Sequence, residues 1–268
     1  MSVSSKPELR REAFCELRSV SVARGNAIVL HQIDLTIAAG EHVAILGPNG
    51  CGKSTLIKTL TCECYPLVTP EMSVRIFGRD RWDLQELRKR LGVVAADLPG
   101  RSTARTCGLD TVISGFFSSA SLWANLAVTD EMRARAQEAL ARVESQHLAE
   151  KPVAQMSAGE TRRVMIARAL VHQPEMLLLD EPTNALDLAA QRDLRERLRA
   201  LAQAGTGIIM VTHHLADILP EIDRVILMRS GRILADGSKQ ELLTPAMLEQ
   251  LFGVPVDLVK RDGYWHNW

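Results

Sequence analysis

The chain lacks any apolar run approaching the roughly 20 residues that span a bilayer, so a membrane span, if one is needed, must come from another chain. It lacks a surplus of either charge, with 32 Lys plus Arg against 32 Asp plus Glu. Nucleic-acid binders usually carry a basic excess, so no nucleic-acid partner is expected. No repeat of solenoid period and no low-complexity segment is present. The five cysteines, Cys15, Cys51, Cys62, Cys64 and Cys107, are an odd set, and Cys62 with Cys64 has neither zinc-finger nor redox CxxC spacing. The polar stretch from Met1 to Arg11 lacks the apolar core of a secretion signal. Free thiols in a reducing, cytoplasmic compartment are therefore expected rather than a disulfide framework.

What is present is ordinary globular composition: 268 residues, 46% apolar and 24% charged, enough for one large α/β domain or two modest ones with a buried core. Residues 1–12 read as a polar tail. Strand-like runs follow at Cys15 to Val22, Ile28 to Ile37 and His42 to Leu46, the last ending at a Gly-rich turn from which a helix should run from Lys53 through Leu60. Met72 to Phe77 and Leu91 to Ala95 read as further strands. From about 98 to 171 the apolar spacing turns helical: Met132, Ala136, Leu140 and Val143 share a face, with Thr129 as candidate N-cap. Then come a buried strand at Met176 to Leu179, a helix presenting Ala190, Leu194, Leu198 and Leu201, and a buried strand at Gly207 to Val211. Strands Asp223 to Met228 and Arg232 to Ala235 are joined by a Ser230-Gly231 hairpin turn. Strands alternating with helices imply parallel pairing, hence a mostly parallel α/β core carrying a helical insertion.

The segment Gly47-Pro48-Asn49-Gly50-Cys51-Gly52-Lys53-Ser54, followed by Thr55, fits GxxxxGK[ST]. Its glycines let backbone N–H groups converge on phosphate oxygens, and the next helix aims its positive end at the same anion. Lys53 is expected on the β- and γ-phosphates and the Ser54 hydroxyl on Mg²⁺. Phosphate-loop proteins are diverse, so a second element is needed. The buried run Met176 to Leu179 followed by Asp180-Glu181 supplies it, with Asp180 expected near the metal and Glu181 positioned to polarise an attacking water.

Between these motifs, Met156-Ser157-Ala158-Gly159-Glu160 resembles the LSGGQ signature of ATP-binding-cassette ATPases, and Arg162-Arg163 follow it. Asn184-Ala185-Leu186-Asp187 resembles that family's D-loop, and Thr212-His213 its switch histidine. The resemblance spans about residues 17 to 237 in five ordered elements. It implies a P-loop NTPase core with a mostly parallel sheet, an antiparallel β subdomain and a helical insertion subdomain. The ATPase domain is expected over 13–255, with the helical part at about 98–171 and a small C-terminal extension over 256–268, hairpin-like around Asp262-Gly263. It further implies ATP and Mg²⁺ as cofactors, His213 at the γ-phosphate, and Ser157 and Gly159 gripping the ATP of the opposite subunit in a head-to-tail dimer.

Three positions depart from the family pattern. Arg24 falls where an aromatic residue would stack on adenine; a guanidinium can also stack on a base. Ala95-Ala96-Asp97 stands where a coupling glutamine is expected, with Asp97 a candidate replacement contact. Ala158 replaces the first signature glycine. The resemblance points to the ATPase subunit of a multi-subunit importer, of the iron-chelate, cobalamin or molybdate kind. That subunit would sit peripherally on the inner face of the membrane with transmembrane permease subunits and a substrate-binding protein. A soluble family member not coupled to transport, or a weakly hydrolysing regulator, are the alternatives. The absence of a second cassette and of a long heptad insertion disfavours translation-factor and chromosome-type ATPases.

Overall fold

A computed structural model describes residues 12–96, 106–119, 121–123 and 125–267. The expected N-terminal tail up to residue 11, together with Asp97, Leu98 and Trp268, lies outside the described residues.

In chain order the elements are β1 (Ala13–Arg24), β2 (Ala27–Ala38), β3 (Val43–Leu46), α1 (Lys53–Leu60), β4 (Ser73–Ile76), α2 (Leu84–Arg90), β5 (Leu91–Val94) and α3 (Gly108–Ile113). They continue with α4 (Asp130–Arg142), α5 (Ala158–Leu170), β6 (Met176–Asp180), α6 (Leu188–Gln203), β7 (Gly207–Thr212), β8 (Arg224–Arg229) and β9 (Arg232–Ser238). Short helices α7 (Lys239–Leu242) and α8 (Pro245–Phe252) and a terminal hairpin of β10 (Leu258–Arg261) and β11 (Tyr264–Asn267) complete the chain. The sequence reading placed most strands to within two residues but missed α2, α7 and α8. α2 buries only Leu87 and α7 is a single turn, so neither shows a helical period.

The principal sheet runs β5-β6-β7-β3-β8-β9, parallel except for β9 on β8. A three-stranded antiparallel sheet, β2-β1-β4, packs beside it. β3 and β7 are buried at every position, as strands covered on both faces must be. Their alternation sorts two cores. Val43, Ile45, Ile209 and Val211 face the antiparallel sheet and α1, alongside Phe14, Leu30, Ile33 and Leu56. Ala44, Leu46, Ile208 and Met210 face the helices, alongside Leu140, Val164, Leu170, Leu194 and Leu198.

Three of the longer helices begin where side chains take up their first free amides. Thr129 caps α4, Asp187 caps α6, and Ser157 with Glu160 forms a reciprocal capping box on α5. The Glu160 carboxylate also takes Lys151 Nζ at 2.8 Å. All five cysteines are free, and burial pushes the Cys15 thiol up to about 12.

The β8–β9 turn does more than reverse the chain. Ser230 and Gly231 both have positive φ, 49° and 73°, as a type I′ turn requires. The Gly231 N–H donates to Cys51 O at 2.9 Å, and the His31 N–H donates to Gly231 O at 2.9 Å. A side-chain carbon on Gly231 would lie 2.1 Å from Val29 O. Gly231→Ala should therefore cost roughly 1–3 kcal/mol in urea denaturation, whereas Ser230→Gly, which relieves a positive φ, should cost little. Ser157→Ala should cost about 1 kcal/mol through loss of the cap. Lys151 and the Ser157 amide hold the Glu160 carboxyl below its ordinary value of 4.5. Its stabilising contribution is thus present above that value and lost as pH falls through the lower folded one. Glu160→Gln should be clearly less stable than the parent at pH 7, with the gap narrowing in acid melts.

Candidate functional site

Three turns meet at the C-terminal edge of the principal sheet, one after each of β3, β6 and β7. Parallel register sets Leu46 beside Thr212 and Asp180 beside Val211. The residues that follow, Gly47, Glu181 and His213, consequently leave the sheet at one level, where open α/β sheets bind ligands.

The turn after β3 is built around positions that admit no side chain. A carbon added to Gly47 would lie 2.3 Å from Met228 O, and one added to Gly52 would lie 2.8 Å from Leu30 Cδ2, with Gly52 at φ 106°. Gly52 is also the N-cap of α1, and no side chain caps that helix. Its first N–H groups are thereby left for an anion. Lys53 is 7% exposed and donates from Nζ to the carbonyls of Gly47 at 2.7 Å and Pro48 at 3.2 Å. Burial pushes the neighbouring Cys51 thiol up, against the opposing charge of Lys53. A cavity of about 270 Å³ opens here, lined by Asn49, Gly50, Gly52, Lys53, Ser54 and Thr55, with Val29, Ala96, Asp180 and Glu181 completing the wall. A cradle of glycines, one ammonium and an uncapped helix start fits a polyphosphate. Ser54 and Asp180 offer hard oxygen donors in the same cavity, the kind Mg²⁺ shares with phosphate oxygens and water.

Glu181 has φ +46°, rare for a residue with a side chain, and its N–H donates to Val211 O at 2.8 Å. This left-handed step turns the carboxylate into the cavity, where Oε1 lies 3.7 Å from Lys53 Nζ and 2.8 Å from His213 Nδ1. The two adjacent histidines are thereby distinguished. His213 meets Glu181, while the His214 ring lies against that of His213 with centroids 3.8 Å apart. The sequence residues alone could not separate them.

Other expected residues lie elsewhere. Ser157 and Gly159 stand at the start of α5 and do not line the cavity. A carbon on Gly159 would approach Ala190 Cβ to 2.9 Å, so the glycine also lets α5 pack on α6. Asp187 of the D-loop-like segment caps α6, its Oδ1 accepting from Ala190 N–H at 2.8 Å. Arg163 binds Asp193 at 2.8 Å. Arg162, 1% exposed, donates to Ala95 O at 2.5 Å and Ala96 O at 2.6 Å. The two alanines that replace a glutamine pattern thus serve through their carbonyls. Arg24 is exposed at the end of β1, with Nη1 3.1 Å from Cys64 Sγ, and is not among the cavity's lining residues.

Sequence reasoning missed a buried cluster behind Glu181. Asp217, 2% exposed, accepts from Thr183 Oγ1 at 2.7 and 2.8 Å and from Thr212 Oγ1 at 2.8 Å. Burial pushes its carboxyl up, opposed by the two threonines, His214 and Arg195. No spacing rule marks it; the only trace is an acidic residue shortly after an apolar strand.

The family model described as ABC transporter matches residues 30–184 of the chain. The hemin import ATP-binding protein HmuV of Aliivibrio fischeri is 37% identical over 244 residues, covering 88% of each chain. The cobalt import ATP-binding protein CbiO of Rhodobacter capsulatus is 37% identical over 82% of this chain and 76% of that protein. Among solved structures, cbiO1 from Clostridium perfringens, part of the ABC transporter complex cbiONQ, superposes with a TM-score of 0.75 at 27% identity, covering 90% of this chain and 94% of that one. A dimeric ATP-binding cassette in a post-hydrolysis state bound to ADP and Pi gives 0.68 at 28% identity, covering 84% and 98%. The glycine cradle, the carboxylate after β6 and the histidine after β7 are thus borne by a chain that belongs to the ABC transporter family, as one of its ATPase subunits.

Proposed function

We infer that the chain hydrolyses ATP to drive import of a metal ion or metal chelate through a separate permease. The observation that carries the hydrolytic half is the contact set around Glu181, which joins Lys53 and His213 at a cavity also lined by Ser54 and Asp180. The import half rests on the relatives, which carry the names hemin and cobalt import ATP-binding protein. Among the described residues no helix is long and apolar enough to cross a membrane, so the permease is assigned to other chains. A substrate-binding protein would complete such an importer.

In this reading the phosphates lie on backbone N–H groups of residues 49–55, Asn49, Cys51 and Thr55 included, while Gly47 and Pro48, which has no N–H to donate, shape the turn. The Lys53 ammonium turns from the loop carbonyls to the β- and γ-phosphate oxygens. Mg²⁺ would be held by the Ser54 hydroxyl and, through water, by Asp180, and would neutralise charge on the phosphates. The Glu181 carboxylate accepts a proton from the attacking water as its oxygen bonds to the γ-phosphorus. The bond from that phosphorus to the bridging oxygen breaks and ADP departs. His213, held by Glu181, orients that water and contacts the γ-phosphate. Ser157 and Gly159, which do not line their own chain's cavity, act on the ATP of a second copy or a related subunit in a head-to-tail dimer. Arg24 is assigned to the base by stacking of its guanidinium, which requires it to leave Cys64 Sγ and swing toward the cavity.

Two substitutions test the assignment. Glu181→Gln keeps the shape of the side chain but not the base. Turnover should fall by about 10²–10⁴-fold while ATP binding persists and ATP-dependent dimers accumulate on gel filtration; unchanged steady-state hydrolysis would remove Glu181 from this role. Lys53→Ala removes a charge-assisted contact of about 1.5–3 kcal/mol, so ATP affinity should drop roughly tenfold to a hundredfold in equilibrium dialysis. Unchanged affinity there would sink the phosphate-loop assignment.

A further inference from the structure

We propose that Asp217 is a positioning residue for hydrolysis, fixing the two backbone segments that carry Glu181 and His213 by dictating where two threonine protons point. The proposal rests on the hydrolytic reading of Glu181 above.

A carboxylate 2% exposed is costly to bury unless it is well partnered. The partners of Asp217 come from both sides of the reaction site. Thr183, two residues after Glu181, donates its hydroxyl proton to the carboxylate at 2.7 and 2.8 Å from the two oxygens. Thr212, the residue before His213, donates at 2.8 Å. One side chain on the turn Leu215–Asp217 therefore bonds to the segment after β6 and to the end of β7, between which the Glu181–His213 contact of 2.8 Å is made.

A threonine hydroxyl has a single proton to donate. Thr212 Oγ1 is 2.8 Å from Asp217 Oδ2 but 3.3 Å from Glu181 Oε2, so the proton goes to Asp217. The same oxygen accepts the His214 N–H at 3.0 Å, which fixes the hydroxyl from the other side. Glu181 is thus spared a competing donor that would draw its carboxylate toward β7, and Oε1 stays with His213 and Lys53. Arg195 steadies the arrangement from outside, with Nη1 3.8 Å from Asp217 Oδ1 and donating to Ala216 O at 3.1 Å. Its guanidinium is covered by the Tyr264 ring, 5.5 Å from the centroid, so the terminal hairpin closes the back of the cluster.

An amide at position 217 would still accept from one threonine, but it would present N–H groups to the other. The Thr212 proton would then be free to swing to Glu181. The test uses the full chain and expresses turnover per ATP-binding site, titrated by equilibrium dialysis, so that unfolded protein does not count. Asp217→Asn should lower kcat by about tenfold to about a hundredfold, as small misplacements of reacting groups do, with KM and ATP affinity within about threefold of the parent. Thr183→Val, which keeps the carboxylate, should lower kcat in the same selective way, and Thr183→Ser, which restores the donor, should recover it. Should Asp217→Asn fail to fold, the Thr183 pair decides. Turnover per site within twofold of the parent in Asp217→Asn or Thr183→Val would overturn the proposal, as would a parallel loss of turnover and ATP affinity. Glu181→Gln assayed alongside separates the two failures. If it hydrolyses normally, the reading of Glu181 falls and this proposal with it; if it is inactive while Asp217→Asn is normal, only this proposal falls.

Discussion

Parallel pairing of β6, β7 and β3 is the constraint on which the site depends. Parallel strands all end at one edge of a sheet, and their register decides which termini stand level. Leu46 beside Thr212 and Asp180 beside Val211 put the three following turns within side-chain reach of one another. Glu181 and His213, 32 residues apart in sequence, meet for this reason, and so do Lys53 and Glu181. A shift of any one strand by a residue would exchange its two faces, sending Ala44 and Leu46 to the side now held by Val43 and Ile45. Both faces are sealed in apolar cores, so such a shift is opposed along the whole strand.

The phosphate-loop segment is held from behind as well as ahead. Leu30 closes against Gly52, the Met228 carbonyl against Gly47, and the Gly231 amide binds the Cys51 carbonyl. Each contact comes from a different element: β2, β8 and the β8–β9 turn. A single backbone hydrogen bond contributes about 1 kcal/mol net, so the rigidity of the loop comes from convergence rather than from any one contact. The antiparallel sheet is therefore part of the site's support, although only Val29 of it lines the cavity.

Helix α5 links the signature to the cavity. Its first turn carries the Ser157–Glu160 capping box and packs through Gly159 on α6, and one turn further on Arg162 grips the Ala95 and Ala96 carbonyls. Ala96 is itself part of the cavity wall. A rigid helix bonded in this way cannot move without moving that wall. The contact with Arg162 is made to the backbone carbonyls of Ala95 and Ala96, so it does not depend on the side chains there.

The sequence by itself determined whatever is local. The Gly47–Ser54 turn, the helix starting at Lys53, the cap at Thr129, the Ser230-Gly231 hairpin turn and the buried runs of β6 and β7 all depend on neighbours a few residues away, and all could be read. So could the chain's membership of the ABC transporter family, because the motifs come in a fixed order. Tertiary structure alone decided what depends on distant partners. It set His213 against Glu181, turned Arg24 toward Cys64, gave Ala95 and Ala96 a buried arginine, and set Asp217 between Thr183 and Thr212. Those contacts join elements brought together by sheet order and packing, and no periodicity along a chain encodes which side chain will face which across such a gap.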